Sequence, residues 1–394
     1  MLSELTLPKF QAAIAQEGLD GWLLYDFRGT NPIAGGLLGL GHVMLTRRLF
    51  VWVPREGAPT AVTHAIEQAP WRDWPAAWGK VVYSSWRSLE GALGELVAGK
   101  RVAMEYSPGD AVPYVDRVPG GVLDLVRAQG ATVATSGELV SRLFAVWTPE
   151  QLDAHRKAAE IVRTVAHEAF ALAGARARTA EPLHEHEVQR FIRDAFARAG
   201  LEPPDHGPNV SVGANAANPH YEPSAERPVP IREGDVVLID LWAGFAGTPQ
   251  ADQTWMATVG APSARALAVW TAVRDARDAA IALLRERVGG GVPVRGAEAD
   301  DAARAVIEAR GFGPYFVHRT GHSIDARELH GAGPHLDNLE SRDERLLIPG
   351  VGFSIEPGVY VAGEIGMRSE VNAWVGEGTL VVTPEAPQTE LLVV

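Results

Sequence analysis

The chain has 394 residues, more than one hydrophobic core usually serves, so its length predicts at least two domains. Its formal net charge of -13 argues against binding to nucleic acid or to anionic membranes. It has no cysteine, which excludes disulfides, thiol nucleophiles and thiolate metal sites, and no apolar stretch approaches the roughly 18 residues of a membrane span.

The first 147 residues alternate short apolar strands with helical stretches, the pattern of a small α/β domain. Strands are expected at 21–25, 49–53 and 101–104, and a helix at 89–97. A segment near the amino terminus predicts an amphipathic helix and not a signal peptide, so we expect a cytoplasmic protein.

A helix start marks the second domain, residues 148–394. Thr148 suits an N-cap, Pro149 the first helical position and Gln151 a capping box, so a long helix is expected to about residue 172. Further helices are predicted at 187–199, 264–287 and 298–309, with the hairpin strands between them. This pattern makes the domain α+β. The motif His-Glu-His-Glu at 184–187 lacks the spacing of a zinc-binding helix and is interpreted as a solvated helix start.

Four acidic residues interrupt otherwise apolar, strand-like segments of this domain. Asp240 and Glu356 each end a run that has glycine six residues earlier, and Asp252 and Glu370 follow them by twelve and fourteen residues. An acid in such a segment is costly to bury unless a cation neutralises it. We therefore predict two similar β-hairpins, each of which delivers a carboxylate pair to a shared pair of metal ions.

His322 adds a nitrogen ligand to the four carboxylates. Oxygen ligands with one histidine and no cysteine suit borderline-hard divalent ions such as Mn²⁺, Co²⁺, Fe²⁺ or Zn²⁺. The five residues thus predict a centre for two divalent ions, whose charge the four carboxylates would balance.

Three short motifs make this set specific. They are His-Arg-Thr-Gly-His-Ser-Ile at 318–324, Ser-Ile-Glu-Pro-Gly at 354–358 and Met-Arg-Ser-Glu at 367–370. With the order Asp, Asp, His, Glu, Glu, the chain resembles the pita-bread metallopeptidases, which include Xaa-Pro dipeptidase (prolidase), aminopeptidase P, methionine aminopeptidase and the metal-free creatinase. The resemblance is strong from about residue 148 to the end and weaker through residues 25–32.

The resemblance implies a pita-bread fold for the second domain, preceded by the smaller creatinase/prolidase-like α/β domain, and a homodimer. It implies that Asp240 binds one ion and that His322 and Glu356 bind the other, with Asp252 and Glu370 bridging. Mn²⁺ is the ion most expected. Glu356 would also shuttle the proton of the attacking water.

Further site residues follow from the same resemblance. His220, in the loop at 212–221, is expected to contact the substrate, and His330 to stabilise the oxyanion formed from the scissile carbonyl. Arg368 is singled out by its own chemistry: it lies two residues before Glu370, and its guanidinium is expected to hold one oxygen of a carboxylate whose other oxygen binds metal. His318 is expected to be structural or to support the ligands.

The chain departs from the family pattern near His330. The segment from His322 to His330 looks one residue longer than usual, as does the first hairpin connection, and Ser323 and Asp325 replace expected glycines. These changes are expected to spare the metals and to affect substrate selection.

A dipeptidase also needs a cation for the free carboxylate of its substrate. The candidates are Arg342 and Arg345, in the loop before Glu356.

The predicted activity is metal-dependent hydrolysis of the Xaa-Pro bond of a small peptide, most of all a dipeptide. This tertiary amide lacks an N–H and has a restricted shape, so it needs a dedicated enzyme. Aminopeptidase P-like removal of the residue before proline from longer peptides is the alternative. A creatinase-like hydrolase or a non-catalytic binding module is less favoured, because all five ligands are retained.

Overall fold

The computed structural model describes residues 1–41, 43–202 and 206–394. The chain divides into two compact units, Met1–Phe144 and Ala145–Val394, and the predicted boundary after residue 147 lies three residues beyond this division. Within the described ranges, no helix combines the length and the apolar character that a membrane crossing requires.

The amino-terminal unit is built on a six-stranded mixed sheet. Its strands are β1 Gly21–Phe27, β2 Arg48–Pro54, β3 Thr60–His64, β4 Gly79–Tyr83, β5 Arg101–Met104 and β6 Thr132–Thr135. They lie in the order β4-β3-β2-β1-β5-β6, with β2 antiparallel to both of its neighbours and parallel pairing elsewhere. The helices are α1 Leu7–Gln16, α2 Pro32–Leu38, α3 Trp86–Val97, α4 Gly120–Ala128 and α5 Gly137–Leu143.

The carboxyl-terminal unit combines long helices with two four-stranded sheets and a two-stranded ribbon. The helices are α6 Pro149–Ala177, α7 Glu185–Arg198, α8 Ala264–Gly289 and α9 Gly296–Ala309. The strands are β7 Asn209–Val212, β8 Val236–Ala243, β9 Ala251–Thr258, β10 Ser323–Ile324, β11 Gly352–Ile355, β12 Gly358–Val361, β13 Ile365–Arg368, β14 Val371–Val375, β15 Leu380–Thr383 and β16 Leu392–Val393. The sheets run β16-β9-β8-β7 and β10-β11-β14-β15, and β12 pairs with β13 in the ribbon.

The start of α6 shows the capping box that the sequence predicts. Thr148 Oγ accepts the N–H of Gln151 at 3.2 Å, and the Gln151 side chain accepts the N–H of Thr148 at 2.9 Å. These two bonds satisfy N–H groups that the first turn of a helix leaves without partners.

The four helices of this unit fall into two pairs, and each pair shares a core with strands. In the first layer, α6 and α7 share a core with β7, β8 and β9, and α6 contributes small buried side chains such as Ala159, Ala166 and Ala173. Small residues let the helix axis lie close to the sheet. In the second layer, α8 and α9 pack on β11 and β14 through larger residues that include Trp270 and Phe353. The metal-binding candidates lie on strands that these layers hold in place.

A fully buried carboxylate lies in the core of the amino-terminal unit. Glu105 accepts hydrogen bonds from Trp22 Nε1 at 2.5 Å, from Asn31 Nδ2 at 2.7 Å and from Ser136 Oγ at 3.4 Å. Burial raises the pKa of Glu105 to about 7, although these hydrogen bonds oppose the shift.

We predict that Glu105 makes the free energy of unfolding depend on pH. Its pKa is higher in the folded chain than in the unfolded chain, so its contribution is present below pH 4.5 and is lost as the pH rises through about 7. Urea unfolding at pH 5 and pH 8 should show a smaller loss of stability in Glu105→Gln than in the wild type, by on the order of 3 kcal/mol. The exposed Glu95→Gln should behave as the wild type, and equal pH dependence in all three proteins would contradict the prediction.

Candidate metal centre

The β8–β9 hairpin turns two carboxylates toward the same side. Asp240 pairs with Thr254 and Asp252 pairs with Trp242 in the antiparallel register. Side chains two apart on a strand, and those directly opposite on its neighbour, share a face of the sheet. Asp240, Asp252 and Thr254 therefore lie on one face, where all three are buried.

The β11–β14 pair brings the other two carboxylates together. Ile355 pairs with Val371 at the end of this ladder, so Glu356 and Glu370 are the next opposing residues. Glu370 is buried, and the side chain of Glu356 is 12% exposed. The β12–β13 ribbon occupies the connection between them, where the first hairpin has only a short loop.

Ser354 places His322 beside Glu356. The backbone N–H of His322 donates to Ser354 Oγ at 2.9 Å, and that hydroxyl donates to Glu356 Oε1 at 3.0 Å. Because one hydroxyl can accept and donate together, Ser354 orients both candidate ligands. The sequence prediction missed it, although its position two residues before Glu356, on the same face of the strand, is a usable signal.

Asn372 of β14 joins the two sheets at the site. Its side-chain oxygen accepts the backbone N–H of Asp252, and its side-chain nitrogen donates to the Asp252 carbonyl, each at 2.8 Å. The amide thus gives Asp252 the bonds that a neighbouring strand would otherwise give. This residue was also missed from the sequence.

The geometry of the ligand atoms fits a bound cation. Asp252, His322 and Glu370 each offer one ligand atom, and these atoms lie within 4.8 Å of one another. His322 Nε2 is 3.3 Å from Asp252 Oδ2 and 3.5 Å from Glu356 Oε1. His322 Nδ1 lies 3.1 Å from the Ser323 carbonyl oxygen, which makes Nδ1 the donor and turns Nε2 toward the carboxylates. In the neutral ring Nε2 then carries the lone pair that a cation would bind.

The carboxylates of this site outnumber the cationic side chains beside them. Burial raises the pKa of Asp240 to about 6, although Arg368 opposes the shift. Burial and the neighbouring carboxylates raise the pKa of Glu370 well above its ordinary range. Burial alone would raise the pKa of Glu356 too, but His322 and Arg368 outweigh it and lower that pKa to about 2. Divalent cations would supply the missing positive charge, and this donor set suits them.

Arg368 lies beside carboxylates from both pairs of strands. Its guanidinium forms an ion pair with Asp240 and donates from Nε to Thr254 Oγ1 at 2.7 Å. Thr254 in turn donates to Glu370 Oε2 at 2.7 Å, so one arginine and one hydroxyl orient a carboxylate from each hairpin. Thr254 was missed from the sequence; its place two residues after Asp252 is the signal that could have found it.

Two further histidines lie near the ligand set. The His330 ring is exposed, and its centroid is 4.1 Å from that of His322. A positively charged His322 is the first cause, and burial the second, that lowers the pKa of His330 to about 3. When His322 is a neutral metal ligand the first cause is absent, and burial still favours the neutral imidazole of His330. His220 is exposed in the loop after the 3₁₀ turn Gly213–Ala217, and its backbone N–H donates to Asn218 Oδ1 at 3.1 Å.

His318 uses both ring nitrogens in hydrogen bonds. Nε2 lies 2.8 Å from the Tyr360 hydroxyl, and Nδ1 lies 2.7 Å from the Arg319 carbonyl oxygen. Burial is the main cause that lowers its pKa. These contacts give His318 a supporting position beside Tyr360.

The interpretation of residues 184–187 as a solvated helix start is wrong for Glu185, which is buried. Its carboxylate accepts hydrogen bonds from the Val212 backbone at 2.8 Å, from Asn215 Nδ2 at 3.0 Å and from the Tyr221 hydroxyl at 2.6 Å. An acid in the first turn of a helix looks solvent-exposed in sequence, and only the packed loop shows otherwise. Glu185 therefore anchors the loop that carries His220.

The two candidate arginines have different surroundings. The Arg342 side chain is 77% exposed and pairs with Glu344 at 2.7 Å. Arg345 is buried and makes four side-chain hydrogen bonds, two to Asp343 and two to the carbonyls of residues 332–333. Those contacts hold Arg345 within its loop, and substrate binding by Arg342 or Arg345 stays a prediction.

Comparisons with known proteins match this chemistry. The model of the Peptidase_M24 family, metallopeptidase family M24, matches residues 153–377. "Probable dipeptidase PepE" from Mycobacterium bovis is 28% identical over 97% of this chain and 94% of its own. The crystal structure of dipeptidase PepE from Mycobacterium ulcerans has a TM-score of 0.73 at 25% identity and covers 99% of this chain and 97% of its own. That of recombinant prolidase from Thermococcus sibiricus has a TM-score of 0.67 at 25% identity over 100% of both chains. These likenesses confirm the predicted α+β pita-bread fold.

We predict that Arg368→Met weakens Mn²⁺ binding by about 10- to 100-fold, because Asp240 and Thr254 lose the donor that orients them. Titration calorimetry with Mn²⁺ measures the effect. Arg265→Met is the matched control, since that arginine pairs with Glu364 where both side chains are nearly half exposed. Equal Mn²⁺ affinity in the two variants would show that Arg368 does not support the ligands.

Proposed function

Because this chain belongs to metallopeptidase family M24 and is therefore a peptidase, we propose that it is an Xaa-Pro dipeptidase. The observation that carries the proposal is the buried cluster of Asp240, Asp252, His322, Glu356 and Glu370. Similarity along nearly the whole chain to proteins described as dipeptidases and as a prolidase supports the substrate class.

Two divalent ions, most of all Mn²⁺, belong to this proposal. Asp240 would hold one ion and His322 with Glu356 the other, and Asp252 and Glu370 would bind both. When bound, such ions supply Lewis-acid chemistry that makes water a nucleophile at neutral pH and polarises the scissile carbonyl.

The chain's own groups then divide the remaining work. The ionised carboxylate of Glu356 accepts a proton from the attacking water. The neutral imidazole of His330 donates an N–H to the carbonyl oxygen as that oxygen gains negative charge. His220 contacts the substrate from the loop that Glu185 anchors. Arg368 keeps Asp240 in place throughout.

One observation favours the aminopeptidase P-like alternative. With Arg345 bound to Asp343 and to carbonyl groups, Arg342 is the remaining candidate for the terminal carboxylate, and it is largely exposed. A site without a cation at that end would accept a peptide that continues beyond proline. The predicted homodimer and cytoplasmic location stay predictions.

We predict that Glu370→Gln and Asp252→Asn each bind fewer than two Mn²⁺ ions per chain and hydrolyse alanyl-proline at least ~100-fold more slowly, because a bridging ligand loses its charge. Elemental analysis after reconstitution gives the ion count, and a steady-state assay gives the rate. Glu377→Gln, at an exposed position, is the control. Wild-type rates in either ligand variant would refute the two-ion centre.

Substrate length separates the two peptidase activities. For a dipeptidase, we expect kcat/KM to be highest for alanyl-proline and at least ~10-fold lower for alanyl-proline amide and alanyl-prolyl-alanine, because a buried carboxylate needs a charged partner. Arg342→Ala should raise KM for the dipeptide without changing the number of bound ions. If the wild type cleaves the tripeptide as well as the dipeptide, the aminopeptidase P-like activity is the correct one.

A further inference from the structure

A buried carboxylate organises the loop that carries His330. Asp325 is 4% exposed, and its Oδ1 accepts the backbone N–H groups of Arg327 at 2.8 Å and Glu328 at 3.1 Å. Its Oδ2 accepts the backbone N–H of Ala332 at 3.2 Å, on the far side of His330. One side chain thus binds both ends of the segment 325–332.

The ends of this segment fit closely around that carboxylate. The N–H of Gly331 donates to the Ser323 carbonyl at 2.7 Å, and a Cβ at Gly331 would lie 2.7 Å from Asp325 Oδ2. Real Cβ contacts are longer than this, so a side chain at residue 331 would displace the Asp325 carboxylate or the loop. Between these contacts, His330 is exposed but lies against the ring of His322.

A second buried ion pair holds the same loop from its other end. The Arg345 guanidinium donates to the carbonyls of residues 332–333 at 2.6 Å each and is bound by Asp343. Asp343 also accepts the N–H of His335 at 3.0 Å. Hydrogen bonds to charged groups are stronger than neutral ones, so both ends of the His330 loop are fixed by charged side chains.

We propose that Asp325 is a positioning residue for His330. The inference rests on the proposed function, in which His330 stabilises the oxyanion. The segment 325–332 contains no helix or strand that could hold His330, and the carboxylate supplies that missing support. Displacing a catalytic group by about 1 Å can lower the rate by ~100-fold, so the supporting contacts decide how well His330 acts.

Asp325→Asn tests this role with little change in volume. An asparagine oxygen can still accept the N–H groups of Arg327 and Glu328, but its NH₂ group would face the N–H of Ala332, so the closing bond is lost. We expect kcat for alanyl-proline to fall by about 10- to 100-fold, with KM and the number of bound Mn²⁺ ions nearly unchanged. Glu328→Gln, an exposed carboxylate in the same loop, should retain wild-type kcat.

A double-mutant cycle with His330→Ala separates positioning from general destabilisation. If Asp325 acts through His330, the double variant should be no slower than His330→Ala alone, which should itself lose about 10²–10³ in kcat. Gly331→Ala leaves the Asp325 carboxylate charged but pushes it away from the loop. If Asp325→Asn does not fold, Gly331→Ala takes its place in the double-mutant cycle with His330→Ala.

Two further results would contradict different parts of this proposal. Wild-type kcat in Asp325→Asn, or effects that multiply in the double variant, would overturn the positioning role alone. A silent His330→Ala would instead remove the proposed function of that histidine, and the positioning role with it.

Discussion

The concentration of negative charge in a buried place is the constraint on which this structure depends. Asp240, Asp252, Glu356 and Glu370 meet where two sheets approach, and His322 and Arg368 cannot neutralise all four. Separated in the unfolded chain, these acids would be solvated independently. In the folded chain hydrogen bonds offset part of their repulsion, and bound cations would offset the rest.

The neighbours of the ligands therefore matter as much as the ligands. Ser354, Thr254 and Asn372 each make two hydrogen bonds at once, and each joins segments distant in the chain. Their polar groups face the site because strand register places them on the same side as the acids. A site held in this way has its geometry set before any ion arrives, which favours fast and selective binding over adaptation.

Sequence reasoning was effective where a residue conflicted with its surroundings. An acid at the end of an apolar strand demands an explanation, and so Asp240 and Glu356 could be singled out. Ser354 and Thr254 create no such conflict, because small hydroxyl residues are common in strands. Glu185 and Arg345 look like ordinary surface charges, and their burial follows from irregular loops that no periodic pattern describes. The helices and strands that the sequence predicts lie within a few residues of their observed bounds, because their patterns are periodic; other short elements, such as β3, β4 and α5, were not predicted.

The bridge between Asp252 and Asn372 has a consequence for how the chain acquires its native state. These residues lie 120 positions apart, and α8 and α9 fall between them in sequence. Closing so long a loop costs chain entropy and slows folding, because the contact can stabilise the chain only after its two ends have met. Ions can then bind tightly only to the finished structure. They deepen the native energy minimum by mass action, while the search for that minimum proceeds without their guidance.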